Sequence, residues 1–86
     1  MHTVDLLEQA MALAESQGYI VRQDWFGGAG AGACELKGRR WLFVDLALAP
    51  REQLDQVLDA LSEVVEPQAT VQFPELQKAL MLRKAA

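Results

Sequence analysis

Residues 41–50, WLFVDLALAP, form the longest nearly unbroken apolar run in the chain. The run is half the length that a membrane-spanning helix needs, and its aromatic and β-branched residues favour a β-strand. Successive side chains of a strand point to opposite faces of a sheet, so this strand is apolar on both faces. Strands of that kind are usually covered on both sides. We therefore expect it to be the central strand of a sheet, or to meet a second subunit.

Lys37 and Gly38 separate this strand from a second apolar segment, ACEL. A two-residue turn with positive φ at Gly38 would join the two segments as an antiparallel hairpin. This register places Glu35 opposite Arg40, an opposite-charge pair, whereas a turn at Gly38-Arg39 would place Lys37 opposite Arg40. The favoured register has two further pairs: Cys34 opposite Trp41, and Gly32 opposite Phe43.

The segment YIVRQDWF, residues 19–26, begins with β-branched residues, ends with aromatic ones and predicts another strand. We expect it to pair with the ACEL strand as an antiparallel hairpin, symmetrically across the loop FGGAGAGA. Strand alternation then predicts a set of residues that share one face of the sheet, which we expect to be in the core. This set is Val21, Trp25, Cys34, Leu36, Trp41 and Phe43.

Three helices complete the predicted α+β fold. Thr3 can cap the first helix and Gly18 ends it, while Pro50 and Pro74 suit the first positions of two more. The predicted order is α-β-β-β-α-(short β or extended link, residues 69–73)-α, one domain over residues 1–86, with an antiparallel three-stranded sheet packed by helices. Apolar residues recur at helical spacing. They are Val4, Leu7, Met11 and Ala14; Leu54, Val57, Leu58, Leu61 and Val65; and Leu76, Leu80 and Met81.

The glycine-rich loop is a candidate functional loop through Gly27, Gly28, Gly30 and Gly32. A phosphate-binding P-loop needs Lys-Ser/Thr after its last glycine, followed by a helix. Ala33-Cys34 occupies that position and a strand follows. The dinucleotide-binding pattern also fails, because its third glycine comes one residue early. We therefore expect no nucleotide cofactor, and a connection whose small residues let other groups pack closely, Gly32 making room for Phe43.

Asp24, Glu35 and Asp45 place one carboxylate on each predicted strand, which raises the possibility of a magnesium site. In the assumed pairing Asp24 and Glu35 lie on one face and Asp45 on the other, so we expect no metal site. Asp45 stays a candidate functional carboxylate, because a carboxylate inside an apolar strand is costly to bury unless it is paired.

The string GYIVRQDW, the glycine-rich turn and LFVDLA together resemble the α-β-β-β-α core of the restriction-endonuclease-like and Holliday-junction-resolvase families, over roughly residues 5–65. That resemblance implies a metal-binding acid on the second strand and an acid-x-Lys motif on the third. Asp45-Leu46-Ala47 lacks the lysine, and Cys34 or Glu35 occupies the place of the earlier acid. The element order also resembles the double-stranded-RNA-binding domain, but PREQLDQ is not the lysine-rich helix start of that family.

The charges disfavour non-specific binding to nucleic acid, since the net charge is −4. Basic residues cluster in two places, Lys37/Arg39/Arg40 and Lys78/Arg83/Lys84. The common role of such clusters is solubility and protection of sheet edges. The alternative is contact with an anion or nucleic acid, for which Lys37, Arg39 and Arg40 are the candidates.

Cysteine and histidine offer little chemistry. The single cysteine, Cys34, excludes an internal disulfide, and the single histidine, His2, lies at the chain start. We expect Cys34 to be a buried, inert thiol facing Trp41, and we expect no catalytic residue. The acidic start MHTVDLLEQ and the lone cysteine favour a cytoplasmic protein without membrane contact.

Two functional hypotheses follow. The leading one is a small non-catalytic cytoplasmic α+β protein that acts through protein–protein contact or self-association, as a homodimer. Its basis is a short chain with 51% hydrophobic residues and a strand that is apolar on both faces. The alternative is a nucleic-acid-associated protein with a degenerate nuclease-like core, which would use Lys37, Arg39, Arg40 and the basic C-terminal helix.

Overall fold

Three helices and three strands make up the structure, a computed structural model that describes residues 3–27, 32–64 and 73–85. The elements are α1 (Thr3–Ser16), β1 (Tyr19–Asp24), β2 (Gly32–Leu36), β3 (Arg39–Asp45), α2 (Pro50–Val64) and α3 (Pro74–Ala85). The predicted α+β class and element order are confirmed. The predicted short strand at 69–73 lies outside the described residues, apart from Phe73, which immediately precedes α3.

The sheet has the order β1-β3-β2, with β3 in the centre as predicted. β1 pairs with β3 in parallel, from Tyr19 beside Arg40 to Asp24 beside Asp45, and β2 pairs with β3 antiparallel. The prediction of an all-antiparallel sheet with a β1–β2 hairpin was therefore wrong, because β1 and β2 lie on opposite sides of β3. A long glycine-rich loop gives no local preference for a hairpin, whereas pairing with β3 gives β1 an apolar neighbour.

The β2–β3 hairpin has the predicted register, with Glu35 opposite Arg40. The other two predicted pairs, Cys34 with Trp41 and Gly32 with Phe43, are also present. Lys37 has φ 53° and Gly38 has φ 76°, the two positive values that a type I′ turn requires. A tight turn of this type matches the twist of the strands that it joins and fixes their register.

The two faces of the sheet have different surroundings. Leu42 and Val44 on β3 are completely buried and belong to one core cluster with residues of the three helices. Val21 lies beside Leu42 in the parallel pair and packs against the same core. The prediction that Val21 and Trp41 share a face was therefore wrong. The alternate residues of β3, Trp41 and Phe43, belong to the opposite face and are half-buried.

The helices supply most of the core. The predicted α2 stripe is buried at its four described positions, whereas Val4, predicted on the α1 stripe, is 50% exposed because it lies in the first turn. Helices α1 and α2 pack against each other, and two small residues of α1, Ala10 and Ala14, are completely buried. The buried helical residues are Leu7, Ala10, Leu13 and Ala14 in α1, Leu54, Val57, Leu58, Ala60 and Leu61 in α2, and Leu76 and Leu80 in α3. Within the described ranges no helix is long and apolar enough to cross a membrane.

We predict that Leu42→Ala lowers the free energy of unfolding by about 2–5 kcal/mol, because it removes a completely buried side chain and leaves a cavity. Leu36→Ala is the matched control, since Leu36 is 52% exposed on the neighbouring strand, and it should change stability by about 0.5 kcal/mol or less. Urea denaturation measures both values. Equal losses for the two variants would contradict the assignment of faces.

Candidate functional site

The sheet face turned away from α1 and α2 is the candidate site, and we call it the open face. Its apolar side chains are Ile20 on β1, Leu36 on β2, Trp41 and Phe43 on β3, and Phe26 just after β1. These residues are half-buried or, for Leu36, exposed, and none of them belongs to the core cluster. In the part of the chain that the structure describes, no helix packs over them. Within the described ranges the open face therefore combines half-buried apolar side chains and the exposed Leu36 with the charged residues Arg22 and Asp24.

Three aromatic rings occupy the centre of the open face. Trp41 and Phe43 are stacked with ring centroids 5.7 Å apart and an interplanar angle of 5°. Phe26 meets Phe43 edge-on at 5.6 Å and 77°. Both arrangements are favourable for aromatic pairs, and each ring covers part of its neighbour. The three rings are therefore packed on one another in a defined arrangement.

Asp45, the candidate carboxylate, binds the backbone next to this aromatic cluster. It lies at the end of β3 with no exposure to solvent. One carboxylate oxygen, Oδ1, accepts hydrogen bonds from the backbone N–H groups of Phe26 and Ala47, each at 2.9 Å. The first bond fixes the chain that leaves β1, and the second fixes the turn that leaves β3. Asp45 therefore has a clear structural role, as a buried carboxylate with backbone donors.

The three strand carboxylates are arranged differently from the prediction. Asp24 and Asp45 are register partners on adjacent strands and share a face, while Glu35 lies opposite Arg40 on the other face. Because β1 pairs with β3 in parallel, Asp24 shares a face with Asp45 and not, as predicted, with Glu35. Asp24 accepts a hydrogen bond from the N–H of Trp25 at 2.8 Å and lies 3.4 Å from the Arg22 guanidinium. Among the residues described, no three acidic, histidine or cysteine side chains group as a metal would require.

The described ends of the glycine-rich loop need glycine for their backbone angles. Gly27 has φ 68° and Gly32 has φ 118°, and a Cβ on either would meet no atom within 4 Å. The expectation that Gly32 makes room for Phe43 is therefore wrong. Glycine is favoured at position 32 because of the positive φ of the backbone, and not because a side chain would collide with a neighbour. Gly28 and Gly30 lie outside the described residues.

The basic cluster of the hairpin is divided between two roles. Arg40 donates a hydrogen bond to the carbonyl oxygen of Gln17 and lies 5.0 Å from the ring centroid of Tyr19, so it fastens the end of α1 to the sheet. Lys37 and Arg39 are exposed. Arg40 is also exposed, but unlike Lys37 and Arg39 its guanidinium is engaged with α1 and β1.

A cleft of about 540 Å³ lies at the turn end of the hairpin, lined by Leu36, Lys37, Arg39 and Trp41. We call it the hairpin cleft. Its lining is mainly apolar, with two cationic side chains beside an indole ring. Such a lining accepts an apolar or aromatic group, and the cations favour the face of a ring or a negative charge.

Lys78 of the second basic cluster is exposed on α3, which packs against α2 and α1 on the helical side of the sheet. The side chains of Arg83 and Lys84 are not among those described. The described members of the two clusters thus belong to different layers of the molecule.

Two residues are more accessible than their sequence context predicts. Cys34 is exposed on the edge strand and not buried against Trp41. Trp25, assigned to the core, is 71% exposed, because β1 ends at Asp24 and strand alternation no longer applies beyond it. Its neighbour Phe26, which sequence reasoning did not single out, joins the aromatic cluster.

No family model, no curated protein and no solved structure matches this chain.

We predict that Asp45→Ala lowers the free energy of unfolding by about 2–4 kcal/mol, since it leaves two backbone N–H groups without their acceptor. Asp45→Asn keeps a carbonyl oxygen that can accept those bonds and should cost less, about 1 kcal/mol. Asp24→Ala is the control, because the Asp24 side chain is 48% exposed. Urea denaturation that ranks Asp24→Ala as the more harmful change would refute this role for Asp45.

Proposed function

We propose that this chain is a small binding protein that self-associates through its open face to form a homodimer. The observation that carries the proposal is the uneven covering of β3. Its Leu42 side is buried by helices, while its Trp41 and Phe43 side has no described element over it. Large apolar sheet surfaces usually pack against another layer, and here the layer would be a second copy.

The size of the chain supports a second copy as the partner. An 86-residue domain buries a smaller fraction of its surface than a larger one does, so it gains more from an added layer. The aromatic rings of Trp41 and Phe43 lie on the central strand of the open face, while its charged residues lie on the edge strand, where Arg22 is beside Phe43 and pairs with Asp24, and at the hairpin turn, at Lys37 and Arg39. An apolar centre with a polar rim is the usual anatomy of a protein interface.

Binding of single-stranded nucleic acid is the second candidate, and the position of Trp41 beside Lys37 and Arg39 favours it. Aromatic rings and cations on an open sheet can stack bases and contact phosphates. Against it, Arg40 is used within the fold, and Lys78 lies on the helical side. Titration with a labelled oligonucleotide at low salt separates the two candidates, because only the nucleic-acid function predicts saturable binding that weakens with salt.

We predict that sedimentation equilibrium at high micromolar concentration gives twice the chain mass of 9.5 kDa. Ile20→Glu or Trp41→Glu should shift the protein to monomer, because each places a charge in the apolar interface. Met81→Glu is the matched control and should leave the dimer intact, since Met81 is 65% exposed on α3. Circular dichroism of each variant checks that the fold is retained. A strict monomer for the unmodified chain would refute the proposed function.

A further inference from the structure

We infer that the hairpin cleft is a binding site for a small aromatic anion, a planar ring that bears a carboxylate or phosphate group. The ring stacks on Trp41, and the anionic group contacts Lys37 and Arg39. One chain forms the whole cleft, so this site goes beyond the proposed homodimer and does not depend on it.

The side chains that line the cleft are brought together by a single hairpin. Leu36 and Arg39 are register partners next to the turn, and such partners place their side chains on the same face of a sheet. Trp41 lies two residues beyond Arg39 on β3, so strand alternation gives it that face as well. Lys37 is the first residue of the turn itself. The Lys37-Gly38 turn therefore fixes the cleft together with the register.

Trp41 provides a ring surface for stacking. Phe43 lies parallel to the indole ring at 5.7 Å, two residues further along β3. The cleft lies in the other direction along the strand, toward Arg39, and Phe43 is not among its described lining residues. A planar ring in the cleft therefore continues the stack that Phe43 and Trp41 begin, and Leu36 adds an apolar contact.

The polar groups of the described lining are hydrogen-bond donors. Lys37 and Arg39 are cations, and the indole of Trp41 has only an N–H group. Over the ranges that the structure describes, neither cation has an ion pair or a side-chain hydrogen bond. Glu35, the acid next to them in the sequence, lies opposite Arg40 on the other face of the sheet. The lining therefore favours a ligand with acceptor atoms and negative charge, such as a carboxylate or phosphate.

The size and charge of the cleft favour a small ligand. Its volume of about 540 Å³ lies within the range of about 300–1,000 Å³ that small-molecule sites occupy. Two cations can neutralise one carboxylate or phosphate group, whereas a nucleic-acid strand carries a charge on every nucleotide. The other bases of the sheet do not extend this positive surface, since Arg40 binds the end of α1 and Arg22 pairs with Asp24. A single anionic group therefore matches the cleft better than a polyanion.

The experiment measures binding of 2-naphthoate and 2-naphthyl phosphate by saturation-transfer difference NMR. The protein is first diluted until sedimentation velocity finds a monomer, so that a second copy does not cover Trp41. We expect at least one probe to saturate below about 5 mM. Two control compounds each lack one of the recognised groups: 2-(aminomethyl)naphthalene has the same ring with a positive charge, and acetate has no ring. Each should bind about tenfold more weakly or worse.

Two variants locate the site on the protein. Arg39→Gln and Lys37→Asn each remove one charge and should weaken binding about tenfold, the effect of one charge-assisted hydrogen bond. Asparagine tolerates the positive φ of position 37, so the turn should still form. Arg22→Gln is the matched control and should leave the affinity unchanged. It removes the same charge from the open face beside Phe43, about 13 Å along the strands from Arg39.

Circular dichroism and urea denaturation verify the fold of each variant, so every outcome has a clear meaning. Equal weakening by Arg22→Gln and Arg39→Gln overturns the inference, because it shows attraction to the charge of the whole face. Equal affinity for the cationic naphthalene also overturns it, since the cleft then does not select an anion. If neither probe saturates, the inference is wrong and the proposed homodimer stands. A chain that binds a probe in the cleft but never dimerises supports the inference and refutes the homodimer.

A single-stranded oligothymidylate tests the other possible occupant, a nucleic acid. Titrated against the same variants, it should bind no more than about tenfold more tightly than the better probe, because the cleft supplies two cations for one anionic group. Binding about 100-fold tighter that falls equally in Arg22→Gln and Arg39→Gln would show a strand lying across the open face, and would overturn the inference.

Discussion

The carboxylate of Asp45 is the interaction on which the arrangement of the sheet depends. β1 and β2 lie on either side of β3, so the chain that leaves β1 must pass the end of β3 before β2 can begin. Asp45 lies at that end, completely buried, and accepts the N–H of Phe26 from the departing chain and that of Ala47 from the following turn. These two bonds compensate for burial of the carboxylate and position Phe26 against Phe43. A structural requirement thus sets the geometry of the candidate site.

Local features of the sequence were sufficient to predict the hairpin and the helices. The Lys37-Gly38 turn sets the β2–β3 register through residues that are close together in the sequence, and the apolar period of α2 identifies its buried side. The place of β1 could not be predicted in the same way. Parallel and antiparallel pairing are both compatible with its residues, and the choice depends on contacts between distant segments. Reversing this one strand moved Val21 to the helical side and Asp24 beside Asp45.

The candidate site was only partly predictable for a related reason. That Asp45 needs a partner followed from its apolar surroundings, but the donors are backbone groups, which the identity of neighbouring residues does not reveal. The contiguous bases Lys37, Arg39 and Arg40 appear as one cluster in the sequence, yet strand alternation separates Arg40, which binds the end of α1, from Arg39. Similarly, Trp25 continues the pattern of β1 in the sequence but lies beyond the last strand residue, where that pattern has no structural meaning.

In the proposed homodimer, the distribution of charge would oppose association beyond two copies. Exposed carboxylates are concentrated on the helices, for example Glu8 on α1 and Asp55 and Asp59 on α2. Packing two open faces together produces the layer order helix, sheet, sheet, helix, with these acids on both outer surfaces. Each chain has a net charge of −4, so two dimers that approach through their helical layers repel each other. In the proposed homodimer, burial of the aromatic rings would therefore leave a negatively charged exterior that opposes further assembly.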